Sequence, residues 1–181
     1  PLDQLPSELA QQISSAYTND TKQLSMRGFF DLLAIHELGH AYHIQGGLTM
    51  QRKWRGELFC NILLHTYVAE KEPLLLPALT VFPRMVIIST NKADLKYTTL
   101  TALETNYGII GQQYPQNYGW YQCRWHMAAA TIYAEGRILA FKNLWQELKN
   151  QNEPLDDVAF VTLLLDKVHQ SVANVPIKWD E

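Results

Sequence analysis

The sequence predicts a mostly α-helical protein with little or no β structure, built as a single domain over residues 1–181. Apolar residues recur at intervals of three and four positions through most of the chain, which is the period of a helix facing a core. No repeat, low-complexity tract or linker divides the chain. A length of 181 residues with 47% hydrophobic residues is enough for one well-buried core, so we expect one domain rather than two.

The first three helices are predicted from caps and apolar spacing. Ser7 is placed to cap a short first helix, which ends at the Asn19-Asp20 turn. The apolar residues of 27–45 lie almost all round the predicted second helix, which should therefore be deeply buried, and Gly46-Gly47 supplies its stop. A third helix is expected over about 51–70.

The second half of the chain is predicted to be helical as well. Residues 73–90 carry both strand-forming residues and a helical spacing, and the spacing favours a helix. Thr98 and Thr99 precede a helix in which Glu104 would complete the cap or cover the first turn, and Gly108 and Gly111 would end it. The remaining elements are a loop over 112–117 broken by Pro115, a long helix over about 118–149 and a last helix over 156–169.

Composition excludes several classes of partner. The formal net charge is −3, from 15 basic and 18 acidic residues without long runs, so nucleic acid and anionic membranes are not expected partners. No apolar stretch is long enough to span a bilayer, which predicts a soluble protein. The chain begins at Pro1 without a signal peptide, which indicates a processed product or a fragment, and neither compartment nor oligomeric state is assigned.

The two cysteines do not form a metal-binding pattern. Cys60 and Cys123 are far apart and each lies in an apolar or aromatic segment, where a small buried hydrophobe would be placed. We expect two free, buried thiols, and a disulfide between them stays open as an alternative.

The chemistry-bearing motif is His36-Glu37-Leu38-Gly39-His40, an H-E-x-x-H sequence inside an apolar helical pattern. Residues four apart lie on one face of a helix, about 5–6 Å apart at Cβ, so both imidazoles can bind one ion. Glu37 is rotated off that face and is better placed to reach a water bound to the metal. The motif therefore predicts a Zn²⁺ site with His36 and His40 as ligands and Glu37 as the general base.

A catalytic zinc site needs a third protein ligand and an open position. His43 is nearest in sequence, but it lies seven residues from His36, roughly 10.5 Å along a straight helix. Glu57 lies 17 positions after His40 on the next predicted helix, beyond a Gly-Gly turn that lets the two helices pack together. We predict Glu57 as the third ligand, with Glu70 as the fallback and Asn61, one turn later, hydrogen-bonded to a ligand histidine.

The motif and the following Trp54-Arg55-Gly56-Glu57-Leu58-Phe59-Cys60-Asn61 segment together resemble the gluzincin metallopeptidases, the class of thermolysin and the zinc aminopeptidases. The resemblance covers about residues 32–70. It implies a zinc peptidase with His36, His40 and Glu57 as ligands and Glu37 as general base, acting on a peptide or protein substrate. Asn61 stands where thermolysin-like enzymes often have Asp, and the β-sheet that usually precedes the motif helix is not visible, so the chain resembles the helical lobe of such an enzyme.

The mechanism of this class needs one more donor, which stabilises the oxyanion after Glu37 has taken a proton from water and before it returns the proton to the leaving amine. Tyr118 and Tyr121 are our candidates, because they begin the long late helix beside a loop. Packing in the core is the competing interpretation of both.

The other histidines are interpreted as structural. We expect His43 to be a cation near a helix C-terminus, with a place in the lining of the pocket as the alternative. His65 and His126 are expected to be core or boundary residues, and His169 to be solvated.

Two alternative functions stay open. One is a catalytically inactive peptidase-like module, with a structural metal or a partner-binding role. The other is a metal-dependent hydrolase of a non-peptide bond. Peptide deformylase also uses H-E-x-x-H, but its Cys ligand lies upstream of the motif, and no cysteine precedes Cys60 here.

Overall fold

The framework consists of helices that surround one central helix, as a computed structural model of residues 5–19 and 21–181 describes it. The helices are α1 (Ser7–Tyr17), α2 (Arg27–Phe30), α3 (Leu33–Gln45), α4 (Lys53–Lys71), α5 (Leu76–Ser89), α6 (Leu100–Gln113), α7 (Pro115–Asn150), α8 (Asp157–Leu163) and α9 (Gln170–Ile177). Short 3₁₀ segments precede α5 and α6, and a π-helical turn, Leu164–Val168, follows α8. Within the described ranges there is no strand, only an isolated bridge between Thr18 and Leu24. The predicted mostly α-helical fold is confirmed.

Helix α4 is the centre of the fold. Its buried residues include members of both apolar clusters, with Leu58 and Ile62 in the cluster shared with α6 to α9 and Leu64 and Val68 in the cluster shared with α1, α2 and α5. A helix buried on all sides must satisfy its polar side chains internally, because water cannot reach them. The polar residues of α4 are therefore placed where neighbouring helices can bind them.

The predicted second helix was wrong in two respects. A turn at 31–32 separates α2 from α3, and the pair is not deeply buried. Leu38 and Ile44 expose 50% and 70% of their surface, and only His36 and Gly39 of α3 are buried. Apolar residues on every face indicated burial on every face, but only one face of α3 meets α4.

Several boundaries differ from the prediction for identifiable reasons. Pro6 rather than Ser7 occupies the cap position of α1, without a side-chain hydrogen bond, and Asp20 of the expected turn lies outside the described residues. Helix α6 continues past its two glycines, and α7 begins at Pro115, so the predicted loop shrinks to Tyr114. Proline is favoured in the first turn of a helix, where its missing N–H is not needed.

Two helix caps were not predicted. One comes from a residue that is distant in sequence, and the other begins a helix that the sequence did not predict. Both Glu104 carboxylate oxygens accept from the backbone N–H of Lys53, at 3.1 and 2.9 Å, so Glu104 caps α4 rather than its own helix. The predicted helix over 156–169 ends in the π turn, and His169 is not a solvated end residue: its Nδ1 accepts from the Ser171 backbone N–H at 3.2 Å and caps α9. A side chain that caps a remote helix leaves no local spacing signal.

Two further findings concern membranes and cysteines. None of the described helices combines the length and the hydrophobicity that crossing a bilayer requires. Cys60 and Cys123 are both free and buried, as predicted.

Helix α7 contains a sharp backbone break at Arg137. Its φ of 50° and ψ of −160° lie in a region that is nearly exclusive to glycine. The neighbouring Gly136 cannot be replaced freely, since an added Cβ would lie 2.6 Å from Cβ of Ala140 and 3.1 Å from the ring of His169. The backbone at Arg137 is therefore strained, at an exposed position. Gly136, which has no Cβ, leaves space for the ring of His169, the residue that caps α9.

We expect Arg137→Gly to stabilise the protein. Relief of strain worth about 1–3 kcal/mol exceeds the entropy cost of an added glycine, about 0.5–1 kcal/mol, so the unfolding temperature should rise by several degrees. Arg137→Ala is the matched control, because it removes the guanidinium 5.3 Å from the Tyr133 ring centre but keeps the Cβ. Equal unfolding temperatures for Arg137→Gly and Arg137→Ala would refute the strain.

Candidate metal centre

The candidate site lies where α3 packs directly on α4. A Cβ added at Gly39 would lie 3.0 Å from Sγ and 3.1 Å from Cα of Cys60. Only glycine permits this approach of one backbone to the other. The glycine inside the motif thus sets the distance at which the α3 histidines face the side chains of α4.

The sequence-predicted ligands come together at this contact. The Nε2 atoms of His36 and His40 are 3.2 Å apart. The Glu57 carboxylate lies against both rings, with Oε2 3.3 Å from Nε2 of His36 and Oε1 3.8 Å from Nε2 of His40. Three side chains from two helices therefore converge on one small volume.

Two of these three separations fit a single tetrahedral ion. Two donors bound at about 2.0–2.1 Å with a tetrahedral angle between them lie about 3.3 Å apart. The His36–His40 and His36–Glu57 separations of 3.2 and 3.3 Å are close to this value. The His40–Glu57 separation of 3.8 Å is longer, so His36, His40 and Glu57 could hold Zn²⁺ once the carboxylate moves towards His40.

Glu57 is held as a carboxylate by two side chains that the sequence did not predict to be near it. The Tyr107 hydroxyl donates to Oε1 at 2.5 Å, and Gln122 Nε2 donates to Oε2 at 2.6 Å. Burial opposes ionisation of Glu57, but hydrogen bonds from His36, Tyr107 and Gln122 outweigh it and lower its pKa to about 2. The donor set therefore contains a fixed negative charge at neutral pH.

Cys60 is a second candidate for the third ligand. Its Sγ and one nitrogen of each of His36 and His40 all lie within 4.8 Å of one another. Cys60 follows Glu57 by three positions, so the two side chains share one face of α4. Burial, and then the charges of Glu57 and Glu37, raise the pKa of the Cys60 thiol, whereas the low pKa of Glu57 keeps its carboxylate ionised. We regard the carboxylate as the stronger candidate for that reason.

Asn61 was predicted to bind a ligand histidine, but it contacts Glu57 and Gln122 instead. Its Nδ2 donates to the Glu57 backbone carbonyl at 2.9 Å and to Oε1 of Gln122 at 3.3 Å. Oδ1 of Asn61 and Nδ1 of His36 are buried and lack a partner among the described residues. Asn61 therefore orients Gln122, and through it Glu57, and the predicted hydrogen bond to a histidine is wrong.

Of the two tyrosines proposed as oxyanion donors, one lies in the site and the other in the core. Tyr118 belongs to the site, because its hydroxyl accepts from the Gln122 side chain at 3.0 Å beside Glu57. Tyr121 does not: it is fully buried, stacks on Trp179 at 5.8 Å and donates to the Thr99 carbonyl at 2.7 Å. Tyr121 lies three residues after Tyr118 on α7, and its side chain points into the core rather than into the site. Packing in the core was the competing interpretation, and for Tyr121 it is the correct one.

Glu37 is exposed, next to a buried ligand candidate. Burial raises the pKa of Tyr118 and of Cys60, and the charges of Glu57 and then Glu37 raise both further. Solvent therefore reaches the Glu37 carboxylate, and its charge acts on groups beside Glu57.

The remaining histidines and Glu70 take other positions. Glu70 accepts from Tyr133 at 2.7 Å on the surface, so it is not in the donor set. His65 and His126 are buried, as predicted, and burial lowers their pKa to about 4 and about 3. His43 lies in the last turn of α3, near the helix C-terminus as predicted, and burial, followed by the charge of the neighbouring His40, lowers its pKa.

Tyr107 and Gln122 could not be found from spacing. Both come from helices distant in sequence from the motif, and their roles depend on how α6 and α7 pack against α4. The kink at Asn106, with φ −117° and ψ 20°, interrupts α6 one residue before Tyr107.

Comparison with known proteins gives no family assignment. No protein-family model, curated protein or solved structure matches the chain. The resemblance to gluzincins rests on the motif residues alone.

The contact between Gly39 and Cys60 predicts a selective effect of one methyl group. Gly39→Ala should lower the free energy of unfolding by about 1–3 kcal/mol, because the contact is with backbone as well as with sulfur. Gly108→Ala is the matched control, since a Cβ there meets nothing within 4 Å and alanine favours a helix. Thermal unfolding of both variants checks the prediction, and equal stability would show that the helices do not depend on Gly39.

Proposed function

We propose that the chain is a zinc-dependent hydrolase, and specifically a peptidase, in which His36, His40 and Glu57 bind Zn²⁺. The observation that carries the proposal is the spacing of the donors, with 3.2 Å between the imidazole nitrogens and 3.3 Å from His36 to Glu57. Two neutral imidazoles and one carboxylate leave a divalent ion with a net charge near +1 and one position open. This ligand set is typical of catalytic zinc rather than structural zinc.

Bound Zn²⁺ would supply Lewis acidity, polarising the scissile carbonyl and lowering the pKa of water. The other steps fall to residues of this chain. Glu37 takes a proton from the attacking water, the amide carbon gains the oxygen, and Glu37 passes the proton to the leaving amine as the C–N bond breaks. The products are a carboxylic acid and an amine.

Tyr118 and Gln122 have supporting roles in this proposal. Gln122 donates to Oε2 of Glu57 and so orients the carboxylate. Tyr118 lies beside it, with a hydroxyl whose pKa is raised by burial, so the hydroxyl keeps its proton and can donate to the oxyanion of the substrate. Tyr121 has no part, since its hydroxyl is used in the core.

The test of the proposal is Glu37→Gln. Removal of the base should abolish hydrolysis of an unspecific peptide library, while zinc stays near one per chain, because Glu37 is not among the converging donors. His36→Gln is the companion variant and should lose both zinc and activity. Zinc is measured by elemental analysis of protein purified without chelator. No metal in the wild-type protein, or undiminished hydrolysis by Glu37→Gln, would contradict the proposal.

A second function is favoured by the position of Cys60. If His36, His40, Glu57 and Cys60 all bound one ion, the site would be closed, and the metal would fasten α3 to α4 without catalysis. The chain would then be an inactive peptidase-like module that binds a partner. Glu37 would have no role in such a module.

Cys60→Ala separates the two functions. With Glu57 as third ligand, the variant should bind Zn²⁺ within a few-fold of wild type, because the carboxylate is unchanged. The Co²⁺-substituted wild-type protein should also lack a sulfur-to-metal charge-transfer band. A large loss of affinity in Cys60→Ala, together with such a band in wild type, would favour the closed site and contradict the proposed hydrolase.

A further inference from the structure

His43 contacts the ring nitrogen of His40 that faces away from the donor set. Nδ1 of His40 lies 3.3 Å from Nε2 of His43, while Nε2 of the same His40 ring lies 3.2 Å from Nε2 of His36. The rings of His40 and His43 meet edge to face, with centroids 5.5 Å apart at 70°. His40 is thus held on both sides along α3.

An imidazole that binds a metal through one nitrogen carries a proton on the other. For His40, the proton must be on Nδ1 if Nε2 is the ligand atom. A hydrogen-bond acceptor at Nδ1 fixes this tautomer and the plane of the ring. His43 Nε2 is the atom in the structure at that position.

We infer that His43 is a positioning residue, which accepts the Nδ1 proton of His40 and so presents Nε2 of His40 to the metal. The inference rests on the proposed metal site and adds to it an outer partner that is not itself a ligand. It also assigns the Nδ1-protonated tautomer to His43, whose Nε2 must be free to accept.

Helix α4 holds the His43 ring in place. The ring packs edge-on against Phe59, with centroids 6.0 Å apart at 86°. A Cβ at Gly56 would lie 3.9 Å from Nε2 of His43, so the ring lies over this glycine. Gly56 and Phe59 flank Glu57 in sequence, so the same turn of α4 carries the carboxylate and supports the positioning histidine.

The two ligand histidines differ in their support. Nδ1 of His36 is buried without a partner among the described residues, so His43 is the outer partner that the structure provides for the pair. Its loss should therefore weaken the site markedly. Loss of an outer partner of a zinc-bound histidine typically costs about 10- to 100-fold in metal affinity.

His43→Phe and His43→Gln test the inference by their Zn²⁺ affinity, measured in competition with a chromophoric chelator. His43→Phe keeps an aromatic ring against Phe59 but has no acceptor, and should bind Zn²⁺ about 10- to 100-fold more weakly than wild type. His43→Gln retains an acceptor and should recover most of the affinity. His65→Phe is the control, because it replaces an imidazole outside the site, one whose ring centre lies 5.6 Å from that of Tyr133, and should leave the affinity unchanged.

Nitrogen-15 NMR of the zinc-loaded wild-type protein gives a readout that needs no variant. His40 should carry its proton on Nδ1, and this proton should show a coupling or exchange protection that reports a hydrogen bond to His43. Equal affinity of His43→Phe and wild type, or a His40 proton on Nε2, would overturn the inference and leave the metal site standing. Failure of the wild-type protein to bind Zn²⁺ would remove the proposed function, and the inference with it.

Discussion

The close contact of α3 with α4 at Gly39 and Cys60 is the constraint on which the rest of the site depends. Two histidines four residues apart can place their imidazoles on one face of a helix, but a third donor must come from another element at the right distance. The absence of a Cβ at Gly39 lets the backbones approach until Glu57 lies 3.3 Å from His36. A larger side chain would move the carboxylate away from both rings.

Burying this donor set has an energetic cost that the neighbouring helices offset. A carboxylate taken out of water is unfavourable unless hydrogen bonds replace its hydration. Tyr107 from α6 and Gln122 from α7 provide them, and Asn61 holds Gln122 in turn. The helices that enclose α4 therefore both form the core and keep Glu57 ionised.

Much of the fold and the centre of the site could be predicted, because their signals are local. Helical spacing gave the fold class and most helices, and the H-E-x-x-H spacing with the downstream Glu57 gave the three residues that converge. The remainder depends on tertiary packing. Nothing in the sequence near Tyr107 or Gln122 relates them to Glu57, and Tyr121 differs from Tyr118 only in the direction that packing gives it. His43 was interpreted from its place near a helix end, whereas its environment is set by α4.

The central claim is that His36, His40 and Glu57 bind one zinc ion, and X-ray absorption at the zinc edge tests it most directly. For protein purified without chelator, the account predicts about one zinc per chain with only nitrogen and oxygen neighbours, at about 2.0–2.2 Å. A sulfur neighbour at about 2.3 Å would assign Cys60 to the ion in place of the open position. Such a neighbour, or the absence of zinc, would contradict the account.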